Sequence, residues 1–188
     1  EYPCNKFEQI MKIISDIKSQ NGQKMKISVT INDKSYFEQK YEYNKIINMC
    51  KVGKSIEVIP EKAFCRFSNL SVLELSPDTV TIESSSFQNC SSLTQITIPE
   101  KVTTIGDNAF ENCSSLTEIV IPTSVKSIPD HCFDGCSKLD RMTINPFYTQ
   151  IQFNTFNKCP SLKHFTVSTK RDDKSKTNEH IFIQYQMT

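Results

Sequence analysis

Cysteine and histidine are the residues of this chain with the widest chemical repertoire. The sequence contains eight cysteines and three histidines, His131, His164 and His180. Thiolates and imidazoles bind metals, or act as nucleophiles and bases, when several of them converge. The only local cluster is His131, Cys132 and Cys136, which supplies three ligands where a structural zinc site takes four. We therefore predict no metal centre and no cofactor.

Known catalytic motifs are absent from the sequence. There is no H-E-x-x-H or G-x-S-x-G segment, and the carboxylates are spread along the chain rather than clustered. The four glycines lie too far apart to form a phosphate-binding loop. These observations favour a protein that is not an enzyme. An enzyme would need distant polar residues to converge in a pocket at one end of the fold.

The charge balance argues against two classes of partner. The chain has 22 lysines and arginines against 21 aspartates and glutamates, a net charge of +1. Nucleic acids and anionic membranes both require concentrated positive charge. No apolar run is long enough to span a bilayer. The expected partner is therefore a protein, with no nucleic acid and no membrane insertion.

An internal repeat of 23 residues is the strongest pattern in the sequence. Phenylalanine, leucine and isoleucine each recur in five units; the phenylalanines are Phe64, Phe87, Phe110, Phe133 and Phe156. In four units a cysteine follows three residues later, at Cys90, Cys113, Cys136 and Cys159. One unit cannot bury its own apolar face, so neighbouring units must stack.

Each unit is predicted to contain one short strand and one helical turn. The pattern Leu-x-x-Ile-x-Ile alternates with a period of two, which is typical of a strand. Successive strands would pair in parallel, and the prolines that follow them would end the pairing. These prolines are Pro99, Pro122 and Pro146. The helical turn would begin at a capping residue and end at a left-handed one. The predicted caps are Ser84, Asp107 and Asp130, and the predicted left-handed residues are Asn89, Asn112 and Gly135.

The repeat resembles the leucine-rich repeats of the BspA-like family, which occur in bacterial and protist surface proteins. The resemblance is carried by the segment IPEKVTTIGDNAFENCSSLTEIVIPTSV (98–125) and its neighbours, and covers roughly residues 58–167. It implies an α/β fold, a leucine-rich-repeat solenoid built as a right-handed β-α superhelix with a parallel sheet. It further implies protein recognition, with adhesion as a surface antigen and a place at the cell surface.

The ends of a stacked array expose apolar cross-sections that other segments must cover. We interpret residues 1–56 as an α+β N-terminal cap that contains an amphipathic helix (7–17), alternating strands and a degenerate repeat. A separate small domain is the alternative. Residues 57–168 hold five repeats. Residues 169–188 are interpreted as a charged loop followed by an edge strand at 181–185.

The cysteine column is interpreted as a ladder of small buried thiols rather than disulfides. Stacked cysteines would point the same way, and the first unit has Phe67 at this position. Cys65 aligns with polar residues of the other units and is the candidate for an exposed, reactive thiol. Reduced thiols favour the cytoplasm, whereas the family resemblance favours the cell surface, so both locations stay open.

The outward face of the parallel sheet is the predicted partner-binding surface, because this is the characteristic surface of a solenoid. The predicted binding residues on it are Gln95, Thr97, Glu118, Val120, Arg141, Thr143, His164 and Thr166. Glu118 and Arg141 are expected to pair across neighbouring strands. Phe147 is a second candidate, because it is aromatic where the other units are polar. The alternative function is an intracellular structural subunit built into a cytoskeletal or organelle assembly.

Overall fold

The structure is a computed structural model, which describes residues 28–32, 45–145, 149–167 and 182–183. The predicted N-terminal helix, the charged loop and Phe147 lie outside these residues. The described residues form strands and turns and contain no helix, so they lack the helical half of the predicted β-α superhelix. None of them belongs to a helix that is long and apolar enough to cross a membrane.

The strands of the described residues form two parallel stacks. The wide sheet contains β1 (Ser28–Ile31), β2 (Met49–Val52), β4 (Val72–Glu74), β6 (Gln95–Ile96), β8 (Glu118–Val120), β10 (Arg141–Ile144), β12 (His164–Val167) and β13 (Phe182–Ile183) in that order. The narrow sheet contains β3 (Val58–Ile59), β5 (Thr81–Ile82) and β7 (Thr104–Ile105), followed by a separate pair, β9 (Ser127–Ile128) and β11 (Gln150–Ile151). The result is a β-solenoid of about five turns.

The register of the wide sheet follows the sequence repeat. Arg141 is the cross-strand partner of Glu118 on one side and of His164 on the other, each 23 residues away. The first pairing departs from this interval, because Ser28 lies opposite Met49. The last pairing departs in direction, because β13 runs antiparallel to β12. The parallel stack therefore ends, on this side, at an antiparallel strand.

The narrow sheet is interrupted at a proline. Gly106 donates its backbone N–H to the carbonyl of Ile82 in the preceding repeat, at 2.8 Å. Pro129 occupies the same position one repeat later and has no N–H to donate to Ile105. The missing hydrogen bond explains why β7 and β9 belong to separate groups of strands.

The segment that follows each strand of the narrow sheet, which we call the turn side, contains two residues with positive φ in each of the first four repeats and one in the fifth. Left-handed residues at these positions exclude a helix there. The second of these columns comprises Arg66, Asn89, Asn112, Gly135 and Lys158, so the left-handed conformations predicted at Asn89, Asn112 and Gly135 are confirmed. The first column was not predicted and comprises Lys62, Ser85, Asn108 and His131. Each member of the first column precedes its partner by four residues, a spacing that leaves only single turns between them.

Backbone hydrogen bonds of the turn side alternate between local and inter-repeat partners. The N–H of Cys65 donates to Lys62 within its own turn, at 3.0 Å. The N–H of Phe64 instead donates to the carbonyl of Ser86 in the next repeat, at 2.7 Å. The same alternation continues through the later repeats. The turns thus form their own ladder between repeats, without being strands.

A stack of phenylalanine rings fills the core. Successive rings from Phe64 to Phe156 lie 5.5, 5.2, 5.4 and 5.8 Å apart between centroids, with interplanar angles of at most 20°. Phe67 contacts the first ring edge-on, and Phe165 contacts the last ring edge-on. Phe87, Phe110 and Phe133 are fully buried, which confirms the stacking predicted from the sequence.

The cysteine column runs beside the phenylalanines as free thiols. The Sγ of Cys113 donates to the backbone carbonyl of Phe87 in the preceding repeat, at 3.2 Å. Cys90, Cys136 and Cys159 make the equivalent bond, at 3.0–3.1 Å. All seven cysteines within the described residues are free, so the predicted ladder of buried thiols is confirmed. Each thiol thus donates an additional hydrogen bond to a buried backbone carbonyl.

Candidate partner-binding surface

The outward side chains of the wide sheet form two rows, which we call the sheet face. The first row is Met49, Val72, Gln95, Glu118, Arg141 and His164, and the second is Lys51, Glu74, Thr97, Val120, Thr143 and Thr166. The side chains between the rows, such as Ile119 and Met142, point into the core and are buried. This period-two alternation places all eight predicted sheet residues on one surface, where Thr143 and Thr166 are half-buried and the rest are exposed.

The half of the sheet face nearer the N-terminus exposes apolar side chains. Met49 and Val72 are cross-strand partners, with 36% and 42% of their surface exposed. Lys51 and Glu74 form an ion pair beside them, at 2.7 Å. Both charged side chains are about 60% exposed, so solvent screens the pair and it contributes little to stability. Further along the face, Val120 is 56% exposed.

The other half of the sheet face contains a charged cluster. Asp140 accepts from Arg141 Nε at 3.4 Å, and its other carboxylate oxygen lies 3.0 Å from His164 Nδ1. Desolvation raises the pKa of the Asp140 carboxyl, but the hydrogen bonds to His164 and Arg141 outweigh it and hold this pKa below its ordinary value. Asp140 thereby orients two of the predicted binding residues.

Glu118 and Arg141 are aligned as predicted, but their side chains are not ion-paired. Their Cα atoms are register partners on β8 and β10. The ion pair of Arg141 is with Asp140, and Glu118 has no ion-pair partner among the described residues. Asp140 was not among the predicted residues, because its column contains Ser71, Thr94 and Thr117 in earlier repeats and lies just before the strand. The sequence signal that could have identified Asp140 is the replacement of a hydroxyl side chain by a carboxylate in this column.

Cys65 lies on the turn side and is half-buried. Its Sγ lies 3.6 Å from Oε1 of Gln88, whose amide nitrogen donates to the carboxylate of Glu111. Burial raises the pKa of the Cys65 thiol, and the nearby Arg66 and Lys62 lower it less. A reactive cysteine needs a lowered pKa, so the structure does not support the predicted reactive thiol.

The cluster of His131, Cys132 and Cys136 is not arranged as a set of ligands. His131 Nδ1 lies 3.2 Å from Asp134 Oδ2, whereas both cysteines are buried in the core. Burial raises the pKa of both thiols, which opposes the thiolate form that binds metal. Across the described parts of the chain, no three histidine, cysteine or acidic side chains are placed to hold a metal ion.

Comparison with known families agrees with this geometry. The family model for the BspA type leucine-rich repeat region matches residues 57–185, with six copies of the repeat. The chain belongs to the BspA-type leucine-rich-repeat family. Leucine-rich repeats of this BspA-type chain have the architecture that is typical of protein-interaction modules, and the family is generally non-catalytic. No curated protein matches the chain.

Solved structures of bacterial leucine-rich-repeat proteins are similar to this BspA-type chain. A leucine-rich-repeat protein of T. pallidum is 25% identical with a TM-score of 0.62, over 73% of this chain and 62% of that protein. A leucine-rich cell surface protein of Faecalibacterium prausnitzii is 20% identical with a TM-score of 0.54, over 76% and 49% of the two chains. A leucine-rich-repeat protein of Bacteroides ovatus is 23% identical with a TM-score of 0.53, over 74% and 45%. This chain therefore spans less than two thirds of the length of each.

Proposed function

We propose that this chain is a non-catalytic module of a surface protein, and that it binds host, matrix or other partner proteins through the sheet face. The family supports protein interaction as the general role. The resemblance to a cell surface protein supports the location. The observation that carries the proposal is the composition of the sheet face, where exposed apolar side chains lie beside charges that the fold leaves available.

The size of the sheet face suits a protein partner better than a small molecule. Its six neighbouring strands are spaced about 4.8 Å apart and so span about 24 Å. Small ligands are bound in concave pockets that enclose most of their surface. A broad row of side chains with apolar members such as Val72 and Val120 is instead typical of a protein interface.

The charges of the sheet face define the chemistry expected of the partner. Arg141 is held by Asp140 through Nε only, and its side chain is 67% exposed, so the outer nitrogens of its guanidinium remain available. Such a fork binds a carboxylate with two parallel hydrogen bonds. Glu118, one strand away, is exposed and has no ion-pair partner among the described residues, so it can pair with a basic group of the partner. We therefore expect a partner segment that presents an acidic and a basic side chain about one strand spacing apart.

Exchange of the two charges tests this proposal without altering the net charge of the chain. The variant combines Glu118→Lys with Arg141→Glu, and the matched control combines Glu61→Lys with Lys62→Glu on the turn side. Glu61 and Lys62 are an exposed ion pair, so both variants exchange one acid and one base at the surface. Binding is measured against a panel of immobilised extracellular-matrix proteins.

The sheet-face variant should weaken binding by about tenfold or more, while the control should bind like the unaltered chain. Equal binding by both variants would show that the sheet face is not the contact surface. If the unaltered chain bound none of the matrix proteins, the adhesion part of the proposal would be wrong.

The free thiols do not decide between the surface protein and an intracellular structural subunit. Those of the repeat column are buried and hydrogen-bonded to carbonyls, and burial raises their pKa. A buried, protonated thiol resists oxidation in any compartment. Free cysteines therefore no longer favour the cytoplasm, and the family resemblance supports the surface location.

A further inference from the structure

Among the described strands, β11 is the last of the narrow stack, and none of them pairs with its outer edge, which we call the free edge. In three of the four earlier repeats the carbonyl of the equivalent isoleucine accepts a hydrogen bond from the next repeat; Ile128, for example, accepts from Gln152 at 3.1 Å. Ile151 occupies the same position in β11. Successive residues of a strand direct their polar backbone groups to opposite sides, so both groups of Ile151 point away from β9. No described residue bonds to them.

Apolar side chains accompany this free edge. Ile151 is 41% exposed, whereas Ile128 of the preceding repeat is fully buried. Phe153 is 97% exposed, although its counterparts in earlier repeats are Glu61, Ser84, Asp107 and Asp130. A phenylalanine that is almost completely solvated costs free energy unless another surface covers it.

The segment that contains β11 carries no charged side chain of its own, which favours a second copy of the chain as its partner. Residues 149–157 contain no charged side chain, whereas each of the four equivalent segments (57–65, 80–88, 103–111 and 126–134) contains between one and three. A contact between two identical chains about a two-fold axis brings each residue close to its own copy. Charges would then repel, whereas the amides of Gln150, Gln152 and Asn154 can both donate and accept.

The opposite edge of the narrow sheet is not a suitable partner. It is formed by β3, which is followed by Pro60 and the charged residues Glu61 and Lys62. Proline and charges are the usual means by which proteins prevent pairing at an edge. Within this molecule, Pro129 at the equivalent position already interrupts the sheet. Head-to-tail association of copies is therefore disfavoured.

We infer that the free edge of β11, together with Phe153, joins two copies of this chain tail to tail about a two-fold axis near Ile151. The two β11 strands run antiparallel across the axis. Ile151 of each copy donates its N–H to the carbonyl of Ile151 in the other copy and accepts in return, as in any hydrogen-bonded antiparallel pair. The two Phe153 rings pack over the ends of the paired strands. This surface is separate from the sheet face, so partner binding and self-association do not compete.

Analytical ultracentrifugation of the 188-residue chain over a wide concentration range tests the inference. The unaltered chain should show a reversible monomer–dimer equilibrium. Phe153→Asp should raise the dimer dissociation constant by about tenfold or more, because it places two carboxylates near the axis. Ile151→Pro should also dissociate the dimer, because it removes the donor. Val80→Asp, a 37% exposed apolar residue away from the edge, should leave the equilibrium unchanged.

Hydrogen exchange of the Ile151 amide provides a second measurement that does not depend on a variant. Its protection should increase with concentration as the dimer forms. A chain that stays monomeric, or a dimer that persists in both edge variants, would overturn the inference. Strong protection of the amide in dilute monomer would also overturn it, because another part of the same chain would then cover the edge.

Discussion

The strand side and the turn side of the repeat join neighbouring units by different means. On the strand side, parallel pairing uses the backbone alone, so the outward residues change from Gln95 to Glu118 to Arg141 without disturbing the register. On the turn side, stacked phenylalanines, thiols on carbonyls and left-handed residues all depend on residue type. The contacts between units that depend on residue type are therefore numerous on the turn side, whereas the outward residues of the sheet face can vary.

Removal of a central ring should produce the largest effect. Phe110 is fully buried between two stacked rings, so Phe110→Ala should lower the free energy of unfolding by about 3–5 kcal/mol. Chemical denaturation measures the change. Phe156→Ala should cost less, because this ring is only partly buried at the end of the stack. Equal losses at both positions would contradict the idea that stacking from both sides sets the cost.

Alkaline pH should destabilise the folded chain through its buried thiols. Burial raises the pKa of Cys159 to about 11 and that of Cys50 to about 12, from 9.0 when exposed. Above pH 9 the unfolded chain releases thiol protons that the folded chain retains. The stability is therefore complete below pH 9 and falls as the pH rises, by about 1.4 kcal/mol per pH unit for each buried thiol until its folded pKa is reached.

Urea unfolding of the unaltered chain and of Cys113→Ala, on either side of pH 9, isolates the thiol contribution from other titrating groups. Burial also raises the pKa of Cys113, so the variant should lose less stability than the unaltered chain over the same pH change. Parallel pH dependences would show that the Cys113 thiol ionises freely in the folded chain.

A side chain at Gly135 should have a smaller effect. Gly135 has a φ of +74°, and a Cβ there would lie 2.2 Å from Oδ1 of Asn112. Gly135→Ala should cost about 1 kcal/mol, mainly because alanine disfavours the left-handed region. Asn89 and Asn112 occupy the equivalent positions, so Gly135→Asn should cost less than Gly135→Ala in the same denaturation experiment. If asparagine were the worse substitution, crowding against Asn112 rather than backbone conformation would set the cost.

A charge on the sheet face should matter least. Glu74→Gln removes the ion pair with Lys51, which is largely exposed. The unfolding free energy should change by less than about 0.5 kcal/mol, as judged from the denaturation midpoint. A loss greater than that of Gly135→Ala would show that the strand side depends on its outward residues after all.

Much of the fold could be predicted because the repeat samples each position five times. A single phenylalanine does not reveal its environment, but a column from Phe64 to Phe156 at constant spacing requires a stack. The same argument predicted the thiol ladder and the residues of the sheet face. The left-handed residues at Asn89 and Asn112 followed from the conformational tolerance of asparagine.

The features that were missed depend on contacts between repeats rather than on local propensity. Lys62, Ser85 and His131 adopt positive φ because their turns must alternate between local and inter-repeat hydrogen bonds. Single turns with inter-repeat hydrogen bonds therefore stand where a helical turn was predicted. The sequence of one repeat does not reveal such hydrogen bonds, because their partners lie in the next repeat. Arg141 pairs with Asp140 rather than Glu118, because Asp140 also contacts His164 and lies next to Arg141 in the chain. The binding role of the sheet face remains a prediction.

The two edge-on rings have a consequence for how the gene can change. Phe67 and Phe165 belong to the first and last units, and each replaces another residue type of its column. Duplication or deletion of a whole internal unit leaves both rings in place and restores the phenylalanine stack and the thiol ladder. Recombination in steps of 23 codons can therefore lengthen or shorten the repeat array without the need to evolve new end units.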